Sequence, residues 1–539
     1  MTSRTRQPNI LLITTDQEQS FVDLPASLTL PAHERLRGEG VAFRRYQVNS
    51  TPCGPSRAVL YTGQHTQHTR MFTNPNVPPQ RELSTDIATM GSIFRDLGYH
   101  TVYKGKWHLS NIHGGPDHGG QRFIDTTDAL EPYGFSEYTH DGDHHGIAWD
   151  GFKHDASIAG DAANWLNGLT GHKPDDGPWL MAVNFVNPHD IMFYDATGTM
   201  GAERLDPLQV APLLAAPHAA PYTDDLELDL PASFQDDLSR KPTAHLDDRR
   251  MCDMMFGLLP LEDVAGWRSH RNYYFNCIRD VDRHVETVLA ALDASGEADN
   301  TIVVFTSDHG EMAGAHGMRQ KGASMYKENI GVSLMIRHPD GPGGVETDAL
   351  ATSVDVIPTM LDLAGFDEAM VDERWPALTG VSLAGALAGS DTARDRRGCL
   401  INYTTNLAWD LDFVEALFGG NGRGFHTDEE QARLAEGFVL DRPAAFRGIR
   451  TDRYKFARYF APSAHHTPTD WDTLVGHNEL ELYDLAADPD EVDNLGADPD
   501  VHRDLILSLS ADLNALVAEE VGVDDGSCYS RSRSFALDT

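Results

Sequence analysis

The segment "TPCGPSRAVLYTG" (51–63) places a cysteine and an arginine four positions apart, just before a predicted helix. A thiol beside a fixed cation is typical of a nucleophile next to an anion-binding group. Cys53 is then the candidate nucleophile, and Arg57 is the candidate anion-binding residue. A buried structural cysteine is the alternative, because free cysteines are among the most buried residue types. The segment alone leaves both interpretations open, so the partners of Cys53 must decide.

Carboxylates and an imidazole at the ends of two apolar runs predict a site for a divalent cation. Asp16 ends the run "NILLITTD", and Asp308 and His309 follow the run "TIVVFTS". Carboxylate oxygens suit Ca²⁺, Mg²⁺ or Mn²⁺, and an imidazole shifts the preference toward Mn²⁺. An aspartate at a strand end is also a common helix N-cap. Two such aspartates, one of them followed by His and Gly, favour the metal site.

Four further side chains have the chemistry to act on a bound anion. Lys106 and His108 in "YKGKWHLS" would face one side if this stretch is extended, and a solvated loop is the alternative. His189 ends a third apolar run, "WLMAVNFVNPHD", and Lys321 follows the predicted metal strand. The chain has only eight lysines, so a lysine inside a motif is less readily explained by chance.

The elements that must position these residues are strands alternating with helices. The apolar runs at 9–16, 179–190 and 301–307 are typical of buried parallel strands. Helical patterns lie between them, including 90–98 and 274–292. This alternation predicts an α/β fold with a large, mostly parallel sheet covered by helices on both faces. Ligands bind beyond the carboxyl ends of such strands, so the polar strand ends should meet in one crevice.

A smaller C-terminal unit is predicted after this main domain. The domains are expected at 1–440 and 441–539, the second being an α+β unit with an antiparallel sheet and a polar tail that joins subunits. The stretch 446–460 is strand-like and basic. The loop-rich segment 195–265 is predicted to be an insertion or lid, and it is expected to shape the substrate pocket together with 407–425.

Charge and cysteine usage exclude several classes of protein. The formal net charge of −39 disfavours nucleic acid and anionic membranes as partners, and it requires an anion-processing site to supply its own positive charge. Five widely spaced cysteines without a C-x-x-C motif argue against a disulfide framework. No apolar stretch approaches the length of a transmembrane helix, and the N-terminal apolar run is too short for a signal peptide. A reduced, cytoplasmic protein is expected.

The motifs together resemble the type I, formylglycine-dependent sulfatases of the alkaline phosphatase superfamily. "CGPSRAVLYTG" matches their C-x-P-S-R-x-x-x-x-T-G signature, and "GKWHLS" is similar to their G-K-W-H-L-G signature with Ser110 in place of the last glycine. "DHGEMAGAHGMRQKGASMYKE" resembles their metal and lysine segment, and "FRGIRTDRYKF" with "ELYDLAADPDEVDNL" resembles their C-terminal domain. The resemblance spans nearly the whole chain in the expected order, and it is arylsulfatase-like.

The resemblance implies that Cys53 is oxidised to formylglycine by a formylglycine-generating enzyme. It implies a divalent metal held by Asp16, Asp308, His309 and the modified Cys53, with Gln17 as a weaker candidate. Ca²⁺ is the first expectation and Mn²⁺ the second. The implied activity is hydrolysis of a small-molecule sulfate monoester. A homo-oligomer is expected, because members of the family commonly form oligomers and the C-terminal tail is polar.

The resemblance also implies roles for the basic residues. Arg57 and Lys106 would hold the ionised diol and the sulfate charge. His108 would act as base during sulfate release. His189 and Lys321 would lie at the leaving-group oxygen, one of them protonating it.

Two departures from the family pattern leave alternatives open. The pairs Asp16-Gln17 and Asp308-His309 look more like those of choline sulfatases and phosphonate monoester hydrolases, so a phosphonate monoester or phosphodiester substrate is the first alternative. The lysine and histidine of "GKWHL" favour sulfate over phosphonate. An unconverted, non-catalytic homologue is the second alternative. A cofactor-independent phosphomutase is a third, but a full second set of metal ligands is not recognised.

Overall fold

The structure is a computed structural model that describes residues 7–75, 80–112, 117–118, 121–122, 129–140, 142–203, 211–389, 397–404 and 442–527. The segment 407–425 and most of the predicted oligomerisation tail, 528–539, lie outside the described residues.

Thirteen strands are described in this part of the chain. They are β1 (Asn9–Asp16), β2 (Val41–Gln47), β3 (His100–Gly105), β4 (Asp117–His118), β5 (Gln121–Arg122), β6 (Trp179–Pro188), β7 (Thr301–Ser307), β8 (Leu334–Arg337), β9 (Val345–Thr352), β10 (Cys399–Tyr403), β11 (Ala445–Arg450), β12 (Tyr454–Phe460) and β13 (Glu479–Asp484).

The α-helices of the described residues are α1 (Pro31–Glu39), α2 (Cys53–Thr62), α3 (Thr66–Thr69), α4 (Met90–Asp96), α5 (Asp150–Leu166), α6 (Thr243–Phe256), α7 (Val264–Ala294), α8 (Lys327–Ile330), α9 (Val356–Leu363), α10 (Glu368–Arg374), α11 (Ala384–Leu387), α12 (Trp471–His477) and α13 (Arg503–Glu520).

Seven strands form the central sheet, in the order β3-β6-β1-β7-β8-β2-β9. All of its pairings are parallel except those of β8, which runs antiparallel to β7 and β2. The predicted fold class is therefore confirmed. The three apolar runs of the sequence form β1, β6 and β7, which lie side by side.

Helices cover both faces of this sheet, which explains why its strands are apolar on both sides. Leu11 and Ile13 of β1 face a core shared with α1, α5 and α7. Ile10 and Leu12 face the opposite core, which α2, α4 and α9 complete. Burial on both faces removes the alternation of polar residues that a half-exposed strand would show.

Strands β10–β13 form a separate antiparallel sheet, against which α13 packs through residues such as Ile506 and Leu513. The basic stretch 446–460 forms a hairpin of two strands rather than one strand. The sheet takes its first strand, β10, from residues before 440, and the domain boundary at 440 stays a prediction. Among the described residues, no helix has both the length and the apolar character needed to cross a membrane.

Candidate active site

Asp16, His189 and Asp308 lie at the carboxyl ends of β1, β6 and β7, on the same edge of the central sheet. In the sheet register Asp16 lies opposite Pro188, the residue before His189. Thr15 lies opposite Ser307, the residue before Asp308. Because these strands are parallel neighbours, their polar ends meet at one edge of the sheet. The polar strand ends therefore meet as the sequence predicts.

Cys53 is the first residue of α2, and its side chain lies beside Asp16 and His309 at these strand ends. Its Sγ lies 3.1 Å from His309 Nε2 and 3.9 Å from Asp16 Oδ1. The helix start is fixed from both sides: the Gly54 N–H donates to Asn74 Oδ1 at 2.8 Å, and the Ser56 hydroxyl donates to the Asp308 carbonyl. The thiol is fully buried.

Asp16, Cys53, Asp308 and His309 form a group whose ligand atoms all lie within 4.8 Å of one another. All four residues are buried, and Asp308 Oδ2 accepts no hydrogen bond from the described residues. A buried carboxylate oxygen without a donor is costly unless a cation balances it. Two carboxylates and an imidazole are also the donors expected for a divalent cation such as Ca²⁺ or Mn²⁺. The residues therefore fit the metal that the sequence implied.

The Arg57 guanidinium is anchored behind this group. Its Nε donates to the Trp107 carbonyl at 2.9 Å, and its Nη2 donates to the Tyr103 hydroxyl at 2.9 Å and to Asn184 Oδ1 at 2.8 Å. The remaining nitrogen, Nη1, lies 3.5 Å from Asp308 Oδ2 and 3.8 Å from Asp16 Oδ2. A fixed, fully buried cation thus faces both carboxylates.

Lys106 and His108 follow the end of β3, which stops at Gly105. Lys106 Nζ lies 2.6 Å from Asp16 Oδ2. The expectation of an extended stretch is wrong, because His108 has a left-handed backbone with φ of 56°. The alternative of a solvated loop is wrong as well, since both side chains are buried. The backbone N–H groups of Trp107 and His108 both donate to the Asp143 carboxylate, at 2.9 and 2.7 Å, and this fixes the turn.

His189, Lys321 and Gln17 lie around the rim of the group. His189 Nε2 is 4.0 Å from Asp16 Oδ1. Lys321 Nζ donates to Gln17 Oε1, and the Gln17 amide donates to Glu311. Gln17 Oε1 has a second lone pair beside the one that accepts from Lys321, and metal binding by this weaker candidate stays a prediction.

The cations shift the protonation of the residues that they surround. Burial and the Asp16 carboxylate raise the pKa of the Cys53 thiol, but Lys106, Lys321 and His309 lower it more, so the pKa falls below its usual value. Burial, with Lys321 and Lys106 nearby, holds the pKa of His189 well below its usual range. Burial and Lys106 do the same to the pKa of His108. Both imidazoles are therefore neutral near pH 7.

The two carboxylates titrate differently although they share one site. Burial acts to raise the pKa of Asp16, but Lys106, His189 and His309 hold it well below its usual value. Burial and the negative charge of Asp16 raise the pKa of Asp308. Burial lowers the pKa of His309, but the Asp308 carboxylate and Cys53 outweigh this and raise it. A second carboxylate beside Asp16 is thus unfavourable in the absence of a bound cation.

Sequence reasoning missed three residues that hold the site together. Asn184 accepts hydrogen bonds from both Arg57 and Tyr61. Asp143 fixes the Lys106–His108 turn, and Glu311 orients Gln17. A polar residue inside the apolar run of β6 was a usable signal for Asn184. The dense "HDGDHHG" stretch was the corresponding signal for Asp143.

Comparison with known proteins supplies a family context. A family model described as Sulfatase matches residues 8–366. An uncharacterized sulfatase YidJ of Escherichia coli is 31% identical over 389 residues, covering 67% of this chain and 69% of that protein. A Delta 4,5-hexuronate-2-O-sulfatase of Bacteroides thetaiotaomicron is 26% identical over 515 residues, covering 92% and 85%. The solved phosphonate monoester hydrolase of Agrobacterium radiobacter shares the fold, with a TM-score of 0.63, 22% identity and coverage of 95% and 96%.

Proposed function

Because this chain belongs to the sulfatase family and is a sulfuric ester hydrolase, we propose that it cleaves a sulfate monoester with an oxidised Cys53 and one divalent cation. The observation that carries the proposal is the position of Cys53 at the centre of a buried donor group. Its Sγ contacts His309 and Asp16 and lies within 4.8 Å of a donor atom of Asp308.

The proposed modification of Cys53 is oxidation to formylglycine by a formylglycine-generating enzyme. The hydrate of that aldehyde supplies one hydroxyl that attacks sulfur and a second that expels sulfate when the aldehyde re-forms. An unmodified thiolate would instead retain the sulfuryl group as a stable S-sulfonate. The buried, cation-rich surroundings of Cys53 suit an ionised oxygen at this position.

Asp16, Asp308 and His309 are the proposed metal ligands together with residue 53. Ca²⁺ is the preferred ion because carboxylate oxygens predominate, and Mn²⁺ is second because of the imidazole. When bound, the ion supplies a positive charge that favours the ionised nucleophile and polarises a sulfate oxygen.

Lys106 and Arg57 are proposed to stabilise negative charge at residue 53, and His108 is proposed to accept a proton there. Lys106 and Arg57 place two fixed cations beside the position where anionic oxygens develop, and such preorganised charge is effective in a buried site. His108 is proposed to take the proton of the second hydroxyl. Its lowered pKa supports this role, because a neutral imidazole is able to accept a proton.

Lys321 and His189 are proposed to act on the leaving-group oxygen. The S–O bond to the alcohol breaks as the oxygen of residue 53 bonds to sulfur, and the departing oxygen takes a proton. The low pKa of His189 makes it a hydrogen-bond partner rather than the main acid. Lys321, a cation at the rim of the same group, is the proposed proton donor.

Phosphonate monoester or phosphodiester hydrolysis is the second candidate function, and the phosphonate monoester hydrolase of the same fold favours keeping it. One preparation should be assayed with an aryl sulfate and an aryl phosphonate that share a leaving group. We expect kcat/KM to be higher for the sulfate. A higher value for the phosphonate would replace the proposed substrate class.

The non-catalytic alternative has a direct test in the peptide that ends at Arg57. Mass spectrometry of this peptide from purified active protein should show the aldehyde at position 53. A peptide with only the intact thiol, in a sample that lacks sulfatase activity, would support the unconverted homologue.

We also propose that the protein is cytoplasmic and forms a homo-oligomer. Cys53, Cys252 and Cys277 are buried thiols outside any disulfide, which suits a reducing compartment. Light scattering on the full chain and on a chain truncated after residue 527 tests whether the C-terminal tail joins subunits. A monomeric full chain would contradict the proposal.

A further inference from the structure

The turn that carries Lys106 and His108 is held by two separate sets of hydrogen bonds. The first set fixes Lys106 to the central sheet and to α2. The Lys106 N–H donates to the Asn184 carbonyl at 3.0 Å, and the Lys106 carbonyl accepts hydrogen bonds from Arg57 and from the Tyr103 hydroxyl. All of these groups are buried, so the main domain itself anchors the lysine.

The second set fixes His108 to the loop 142–146. One oxygen of the Asp143 carboxylate accepts the Trp107 N–H at 2.9 Å, and the other accepts the His108 N–H at 2.7 Å. From the same loop, the His145 ring stacks on the His108 ring, with centroids 5.2 Å apart. The loop therefore supports both the backbone and the ring of His108.

The backbone of His108 depends on this support. Its φ of 56° lies in the left-handed region, which residues other than glycine adopt at a cost in free energy. Such a conformation persists only where neighbouring groups hold it in place. Both oxygens of Asp143 are used in this way, since each accepts one N–H. An amide at position 143 would offer only one acceptor oxygen, and its NH₂ group is unable to accept an N–H.

We propose that Asp143 is a positioning residue that controls the release of sulfate through His108. This inference rests on the proposed function, in which His108 takes the proton of the second hydroxyl of residue 53. In that step the oxygen that loses its proton forms the C=O bond, and the C–O bond to sulfate breaks with its electron pair leaving on sulfate. A displaced base slows this step, whereas Lys106 keeps its own anchors and still serves the first step.

The inference predicts different effects on kcat and on kcat/KM. With rates divided by the aldehyde content at position 53, Asp143→Asn should lower kcat for a nitrophenyl sulfate about 100-fold, the usual cost of a displaced catalytic group. By contrast kcat/KM reports only the steps up to cleavage of the leaving group, so it should change by less than about 3-fold while KM falls. Since release then limits every turnover, kcat should become equal for aryl sulfates with better and poorer leaving groups.

Amide hydrogen exchange tests the same inference without turnover. Asp143→Asn should speed exchange of the Trp107 and His108 amides, because both lose their acceptor. The Lys106 amide should exchange as in wild type, because its acceptor lies on β6. A general loosening of the site would instead speed the exchange of all three amides.

Two further variants complete the experiment. His108→Ala should lower kcat at least as much as Asp143→Asn does, and the double variant should be slower than His108→Ala by less than about 3-fold, since the two residues act as one unit. Asp470→Asn is the matched control, because the Asp470 carboxylate accepts the Thr473 N–H at 2.9 Å in the C-terminal unit. It should match wild type in kcat, in KM and in exchange at the turn.

The outcomes separate this inference from the proposed function. Equal kcat of wild type and Asp143→Asn, equal losses of kcat and kcat/KM, or unchanged exchange at Trp107 and His108 would overturn the inference. If His108→Ala loses kcat while Asp143→Asn does not, only the positioning role of Asp143 fails. If His108→Ala keeps wild-type kcat, the proposed role of His108 as base fails, and amide exchange still decides whether Asp143 holds the turn.

Discussion

Asp16 is the last residue of β1, and Glu18 follows it two positions later. The two acids belong to different buried ion clusters, which differ in how closely their charged groups are paired. Glu18 belongs to a closed cluster, in which His33 Nε2 lies 2.7 Å from Glu18 Oε1 and His33 Nδ1 lies 2.6 Å from Asp282 Oδ1. Asp16 belongs to the open cluster around Cys53. There, apart from the close contact between Asp16 and Lys106, charged groups face one another at 3.5–4.0 Å.

The two clusters differ in how their buried charges are balanced. The charges of the closed cluster are balanced by one another, whereas those of the open cluster need a bound ligand. In the closed cluster His33 bonds one carboxylate through each ring nitrogen, so most of the desolvation is offset within the fold, although Glu18 Oε2 accepts no hydrogen bond from the described residues. In the open cluster two carboxylates share one site, and burial together with the negative charge of Asp16 raises the pKa of Asp308. Such an arrangement weakens the protein unless a cation and an anionic substrate bind, which is typical of functional sites.

The largest expected effect is the loss of the nucleophile from the open cluster. Cys53→Ala should lower kcat for an aryl sulfate by about 10⁴-fold or more, because no other group offers two geminal hydroxyls. Circular dichroism should stay close to wild type, and the metal should still bind through Asp16, Asp308 and His309, but less tightly because one proposed ligand is lost. Cys252→Ala, at a buried cysteine outside the cluster, is the matched control and should stay active. Near wild-type turnover by Cys53→Ala would remove Cys53 from the reaction.

Matched carboxylate substitutions should then affect the two clusters in opposite ways. Asp308→Asn should lower kcat/KM about 10³-fold through loss of the metal, yet raise the melting temperature of the metal-free protein, since it removes a buried like charge. Asp282→Asn should lower the free energy of unfolding by about 3 kcal/mol because it breaks a buried pair, while activity largely remains.

Thermal melts with and without Ca²⁺ measure this contrast. Ca²⁺ should stabilise wild type and Asp282→Asn but have little effect on Asp308→Asn. If Asp308→Asn is destabilised without metal as much as Asp282→Asn, the distinction between open and closed clusters is wrong.

The closed cluster should also have a distinctive pH dependence. Burial lowers the pKa of His33, but Glu18 and Asp282 outweigh this and raise it from 6.5 to about 10. The resulting stabilisation is fully present below pH 6.5 and is lost as pH rises through about 10, so it should fall by about 3 kcal/mol between pH 6 and pH 9.

Urea unfolding of wild type and His33→Gln at both pH values measures this change. The difference in stability between the two proteins should be larger at pH 6. His172→Gln is the control at an exposed histidine and should show no such trend. A difference that grows from pH 6 to pH 9 would show that His33 is not a buried cation.

The smallest of these effects is expected at the rim of the open cluster. Lys321→Ala should lower kcat/KM about 100-fold for an alkyl sulfate and much less for a nitrophenyl sulfate, since a good leaving group needs little protonation. Lys173→Ala, at a lysine remote from the cluster, is the control. Equal losses for both substrates would exclude Lys321 from leaving-group stabilisation.

The sequence was sufficient to predict the fold class and the strands whose ends carry the polar residues of the site. The apolar runs ending at Asp16 and before Asp308 became neighbouring parallel strands, because strands buried on both faces need continuous apolar residues. The sequence predicted a helix just after "CGPSR", whereas the structure starts that helix at Cys53, so that Cys53 and Arg57 lie on its first turns. These features depend on local pattern, which the chain itself encodes.

Only the tertiary structure decided which polar residues support the site and which serve stability. Asn184 meets Arg57 across 127 positions, and Gln17 meets Lys321 across 304. His33 joins Glu18 to Asp282 through contacts 15 and 249 positions apart. Hydrogen bonds between such distant residues depend on how the sheet and helices pack, and no local periodicity records them. For the same reason the sequence predicted a ligand site for Asp16 but gave no indication of the closed ion cluster that packing forms around Glu18.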